Sequence, residues 1–180
     1  MKARPNSESG VTVARIEATL DRITSAVSWV WLALISVIVV TVVLRYAFGI
    51  GLIELEELQW HLYALGFLMG LVACTTRDRH VRVDVLREQM SQRLRDWVDL
   101  YGILLLQLPF LVLVCGSALP FVADSFAVGE RSPSAGGLPF RWLLKSMLPL
   151  SFALLSLATL AKLVQVWRRL FDGPIPGERE

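Results

Sequence analysis

VSWVWLALISVIVVTVVL, residues 27–44, runs for 18 residues without a charge. A helix of that length and composition just crosses the roughly 30 Å hydrocarbon core of a bilayer, so the chain reads first as a membrane protein. Trp29, Trp31 and Tyr46 bracket the stretch, where amphipathic rings favour the two headgroup layers. Arg45 extends its charged head toward water from the end of the span, which is taken as 27–46. Gly49 and Gly51 then break the helix, and the short connection makes the next helix antiparallel.

Working outward, LQWHLYALGFLMGLVACTT (58–76) supplies a second span, preceded by Glu54, Glu56 and Glu57. Carboxylates there suit the positive end of the helix dipole. Gly66 and Gly70 form a GxxxG, a spacing that lets another helix approach closely in lipid; simple composition is the alternative reading. The following stretch, 77–97, holds Arg77, Arg79, Arg82, Arg87, Arg93 and Arg95 and cannot cross a bilayer. Val83, Leu86, Met90 and Leu94 recur on one helical face within it, which predicts an amphipathic arm in the membrane interface. A third span is expected over 100–121, with a kink near Pro109. A Gly, Ser and Pro-rich loop follows over 122–139, then a fourth span over 142–167 whose Lys145 and Lys162 snorkel from its ends. Residues 1–26 and 168–180 read as polar tails around a four-helix membrane domain, 27–167.

Composition agrees with an all-α membrane fold. The chain has 180 residues, 54% hydrophobic and 19% charged, more apolar and less charged than a soluble domain. That length accommodates four spans but not six, and the apolar content excludes the disordered and disulfide-rich classes. A net charge of +2 does not suggest a nucleic-acid surface. Cys74 and Cys115 lie in apolar runs and form no CxxC pair, so they read as small buried hydrophobes. The first apolar run is too long for a signal-peptide core, and the span is expected to stay attached. Lys and Arg concentrate in the two tails and the arm, which places these three segments in the cytoplasm.

Chemistry-bearing residues are sparse. Glu54, Glu57 and His61 share a helical face, which reads either as a metal or proton site or as an interfacial polar face; the ExxH spacing of carboxylate-bridged metal bundles is absent. Arg45 against Glu56 and Glu57 predicts a salt bridge closing the first hairpin. His80, beside the arm, reads as a ligand, a titrating group or a hydrogen-bonding start to the arm. No catalytic or metal constellation is proposed, and no intramembrane acidic pair provides a transport pathway.

The order RYAFGIG, ELEELQWHLYALGFLMGLVA, RDRHVRVDVL and GERSPSAGGLPFRWLLKSMLPLSFALL resembles the small membrane subunit of tripartite ATP-independent periplasmic (TRAP) transporters, the DctQ type. The resemblance covers roughly residues 29–167. It is carried by Arg45-Tyr46, the Glu56-Glu57 pair, the HVRVDVL stretch and the loop ending in GGLP. Many members carry tryptophan where this chain has Glu54. The resemblance implies an inner-membrane partner of a large permease subunit and a periplasmic substrate-binding protein, in sodium-driven uptake of a small organic acid. It implies no enzyme activity and no cofactor here, with sodium ions bound by the large subunit. The expected roles are hairpin closure by Arg45, Tyr46, Glu56 and Glu57, and arm shaping by His80, Arg82, Asp84 and Leu86. Glu130, Arg131, Ser132 and Gly137 are expected on the periplasmic loop where a binding protein touches, and Gly66 and Gly70 at a packing seam. The alternative is a self-contained four-helix exporter, or a small redox protein using His61.

Overall fold

A computed structural model describes residues 8–77 and 89–171, and this described part is all helical. The helices are α1 (Glu8–Val27), α2 (Val30–Phe48), α3 (Ile53–Thr76), α4 (Gln92–Tyr101), α5 (Leu108–Ala127) and α6 (Arg141–Phe171), with a π-helical turn, Gly102–Gln107, fusing α4 to α5. Four stretches are long and apolar enough to cross a membrane: α1 with α2, α3, α4 through α5, and α6. The arm residues His80, Arg82, Asp84 and Leu86 lie outside the described residues.

The four apolar helices do not close into a bundle. They stand in a row, α2 against α3, α3 against α6 and α6 against α5, while α1 lies across α3 and α6. Lipid supplies no hydrophobic drive between helices, so close approach of small residues matters more. α6 buries Ser151, Ala158, Thr159 and Ala161 accordingly. The main apolar cluster joins Leu20, Val72, Leu111, Phe152, Leu155 and Ala158.

Residues 8–27 are therefore not a tail, which corrects the sequence-based expectation. Val13, Leu20 and Thr24 are buried and Ile16 packs against the core, spaced by three or four residues like any amphipathic helix. Polar contacts fasten the same helix. Arg77 Nε donates to Asp21 at 2.6 Å and its Nη2 to the Ser25 hydroxyl at 2.9 Å, while Gln165 donates to Glu17 at 2.6 Å. The polar face that suggested a solvated tail is partly a set of ties to α3 and α6.

Three boundaries also move. Residues 92–97 already belong to the helix that continues into the third span, and its inner face carries Asp96 and Leu100 while Leu94 is exposed. The irregularity expected at Pro109 lies just before it: the Leu108 N–H bonds the Ile103 carbonyl, five residues back. Pro109 follows this π turn directly, inside a continuous helix, and the wider winding before it accommodates the residue that lacks an N–H. The helices also overrun the predicted ends, α5 reaching Ala127 and α6 reaching Phe171, whose ring packs on Trp97 and Trp167.

Candidate functional site

The polar residues singled out in the sequence gather at the end of the row opposite α1, around the hairpin between α2 and α3 and the loop from Val128 to Phe140. α2 ends where Gly49 adopts a left-handed conformation, φ 69°, with the Gly49 and Ile50 N–H groups both turned to the Leu44 carbonyl. Glycine takes that conformation without a Cβ penalty. The chain then reverses into α3, and Arg45 forms a salt bridge with Glu56 across the hairpin. Tyr46 is exposed beside it.

Glu57 does not share in that closure, contrary to the hairpin role expected for it. Its carboxylate accepts from the Ser132 hydroxyl through one oxygen and from the Leu138 N–H, at 2.7 Å, through the other. The two donors flank the loop tip, which the Ser132 N–H to Leu138 carbonyl bond, 3.3 Å, closes further. Hydrogen bonds to an ionised acceptor are the strong ones, so one side chain on α3 holds the loop. Gly137 is required there: a Cβ would stand 2.5 Å from the Ser132 Cβ and 2.7 Å from Glu57 Oε1.

A second carboxylate anchors the other side of the loop. Glu130 meets Lys145 and, at 3.7 Å, Arg141 from the start of α6. The Lys145 ammonium beside it, with Arg141 adding, holds the Glu130 carboxyl below the usual carboxylate range against the opposing effect of partial burial. Lys145 also lies over the Phe121 ring at 4.0 Å, a cation–π contact that ties the loop end of α6 to α5. Phe140, just before α6, has φ 65°, an uncommon conformation for a bulky residue. Arg131 is exposed on the loop.

Glu54, Glu57 and His61 do not converge on a ligand. His61 Nδ1 donates to the Glu57 carbonyl at 2.7 Å, Glu57 turns to the loop and Glu54 is exposed. Among the described residues no group of three His, Cys, Asp or Glu side chains is placed to hold a metal ion. Of the two GxxxG glycines, Gly66 lies so close to the Trp31 ring that a Cβ there would stand 2.9 Å from it, whereas Gly70 has open space. The seam is thus a tryptophan against a glycine rather than two helix backbones in contact.

Arg45, Glu56, Glu57, Ser132, Gly137, Glu130 and Lys145 thereby form one continuous polar crown on four apolar helices. The model of one protein family, tripartite ATP-independent periplasmic transporters, DctQ component, matches residues 15–169. The chain belongs to the DctQ family. It is accordingly a multi-pass membrane component of a transporter, and the matched DctQ region contains both the crown and most of α1. No curated protein matches the chain.

Sequence reasoning missed several pairings that hold this DctQ chain together. Gln59 donates to Thr41 at 2.8 Å between α3 and α2, and Gln107 donates to Thr159 at 2.9 Å between the π turn and α6. An amide within an apolar run was the available signal, since such a group needs a partner in lipid. The identity of the partner helix had no signal in the sequence.

Proposed function

We propose that this chain scaffolds the large permease subunit of a TRAP transporter that takes up a small organic acid, fed by a periplasmic binding protein and driven by sodium. The family match over residues 15–169 carries the reading. The chain's own polar groups support it: the carboxylates of Glu56, Glu57 and Glu130 and the amides of Gln59 and Gln107 each have a partner within the chain, which suits a support more than an ion or solute pathway. Sodium sites then belong to the large subunit.

The protein resides in the bacterial inner membrane with both termini in the cytoplasm, an orientation supported by the Lys and Arg of the tails and arm. The crown then faces the periplasm. Glu57 and Glu130 fix the loop so that Arg131, Ser132 and Gly137 present a stiff surface to the binding protein.

The test is gentle solubilisation of native membranes, capture through a C-terminal tag and mass spectrometry of the companions. A large hydrophobic permease at equal stoichiometry is expected. Recovery of this chain alone as a stable self-oligomer, with uptake by that oligomer in vesicles, overturns the proposal.

A further inference from the structure

Three helices meet on α6 at the end of the row that carries α1. α1, α3 and α4 each pack against α6, and α1 also packs on α3, whereas no comparable packing joins α4 to α1 or to α3 among the described residues. Between them lies a cavity of about 100 Å³ with walls from all four helices: Glu17 of α1, Thr76 of α3, Asp99 of α4, and Lys162, Gln165 and Arg169 of α6. Ala158 and Val166, 4% and 2% exposed, also line it. Ala158 belongs to the main apolar cluster as well, so the cavity caps that cluster.

The chemistry of the walls decides what fills the space. Cavities that stay dry are lined by apolar side chains, and a polar one is hydrated when it has room for a water and a few groups to bond it. At about 30 Å³ per molecule this cavity holds about three waters. A lysine ammonium, an arginine guanidinium and a carboxylate each bond several partners at once. Glu17 accepts from Gln165, and Asp99, Lys162 and Arg169 are engaged as well, so each of these groups can bond a neighbour and a water together. The Thr76 hydroxyl gives its hydrogen to the Val72 carbonyl at 2.9 Å, which leaves its lone pairs for a donor. Arg169 is engaged elsewhere, yet no protein hydrogen bond reaches its buried Nε. Charge argues against an ion. Glu17 and Asp99 are balanced by Lys162 and Arg169, and a site without net charge does not repay the cost of taking an ion out of water.

We infer that this cavity holds a cluster of about three ordered waters that joins α4 to α1 and α3. Water-mediated hydrogen bonds are nearly as favourable as direct ones, and here they stand in for the packing that α4 lacks toward those two helices. α1 is then fastened to the row by hydration as well as by its buried apolar face.

The test is radiolytic footprinting of the full chain in native-membrane nanodiscs. X-ray pulses split bound water in place, and the hydroxyl radicals formed there oxidise the side chains beside them even when a scavenger removes radicals from the bulk. Val166 and Val72 make the comparison: both are buried valines, 2% and 0% exposed, and of the two Val166 lines the cavity. With scavenger present, Val166 is expected to be oxidised and Val72 to stay intact. Ala158→Leu, which lengthens a lining side chain and displaces water, is expected to lose the oxidation at Val166. A Val166 as silent as Val72 overturns the inference, as does oxidation that the scavenger suppresses, because that radical comes from outside. Persistence of the label in a folded Ala158→Leu chain overturns it too. Should that variant fail to fold, the comparison of the two valines in the unaltered chain still decides.

Discussion

Glu57 accepts the backbone N–H of Leu138 at 2.7 Å, joining the first turns of α3 to a loop 81 residues further along the chain. With the Ser132 hydroxyl on its other oxygen, this carboxylate substitutes for the regular secondary structure that the loop lacks. Backbone groups in a loop need partners as much as those in a helix do, and here a side chain from another element supplies one.

Gly137→Ala forces a methyl group onto the Ser132 side chain and the Glu57 carboxylate. Overpacking of this kind costs about 1–3 kcal/mol. The variant is expected to lose stability by that amount, to melt earlier and to exchange the Leu138 amide faster. Glu57→Gln is expected to raise exchange at Leu138 without altering exchange in α6, measured by hydrogen exchange in detergent. Equal acceleration throughout the chain would show that Glu57 supports the whole fold rather than the loop.

Acid should release the other side of the loop. The Glu130 carboxyl lies below its ordinary range because Lys145 stabilises the charged form, so in acid the unfolded chain binds this proton before the folded one does. Stability from the contact is then complete above the unfolded value, about 4.3 for Glu, and declines as pH falls through the lower folded value. The wild type is expected to lose more melting temperature than Glu130→Gln between about pH 5 and pH 3. Parallel curves for the two proteins would refute the coupling.

Thr159 is fully buried and receives the Gln107 amide at 2.9 Å. Thr159→Val keeps the shape and removes the acceptor. Hydrogen bonds between membrane helices average about 0.6 kcal/mol, with a maximum near 1.7, and the loss is expected within that span when unfolding is followed in bicelles. A larger loss would mean that the π turn depends on this bond.

α1 is held by apolar burial more than by charge. Leu20 is 3% exposed in the main cluster, and Leu→Ala at such a site costs about 2–5 kcal/mol. The Arg77 to Asp21 pair is substantially exposed, and exposed pairs contribute about 0.2–1 kcal/mol. Leu20→Ala should therefore free α1 to proteolysis far more than Asp21→Asn does. The reverse order would make the ion pair the principal tie.

Much of this is legible in one dimension, and the rest is hidden for identifiable reasons. Arg45 and Glu56 are readable as a pair because a short hairpin brings residues 11 apart together. Glu57 falls to the same hairpin in a linear reading because two adjacent carboxylates have no evident reason to part. On a helix, however, neighbours point about 100° apart, which turns Glu57 toward α6 and its loop. Residues 8–27 read as a tail because their average polarity hides an apolar stripe at helical spacing, the same periodicity that stands out in the arm.

By itself the sequence determined that the chain crosses the membrane in four helices, and it carried the motifs of the DctQ family. Both are local properties: an uncharged run of about 20 residues is a span in any context, and a motif is a string. Only the tertiary structure decided that the four spans form a row, that α1 lies across it, and that Glu57 and Glu130 hold one loop. Apolar helices in lipid are nearly alike in hydrophobicity, so their neighbours are selected by small residues and a few polar pairs, such as Gln59 with Thr41 and Gln107 with Thr159. Those complementarities exist between elements far apart in the chain, and they have no signature until the elements are brought together.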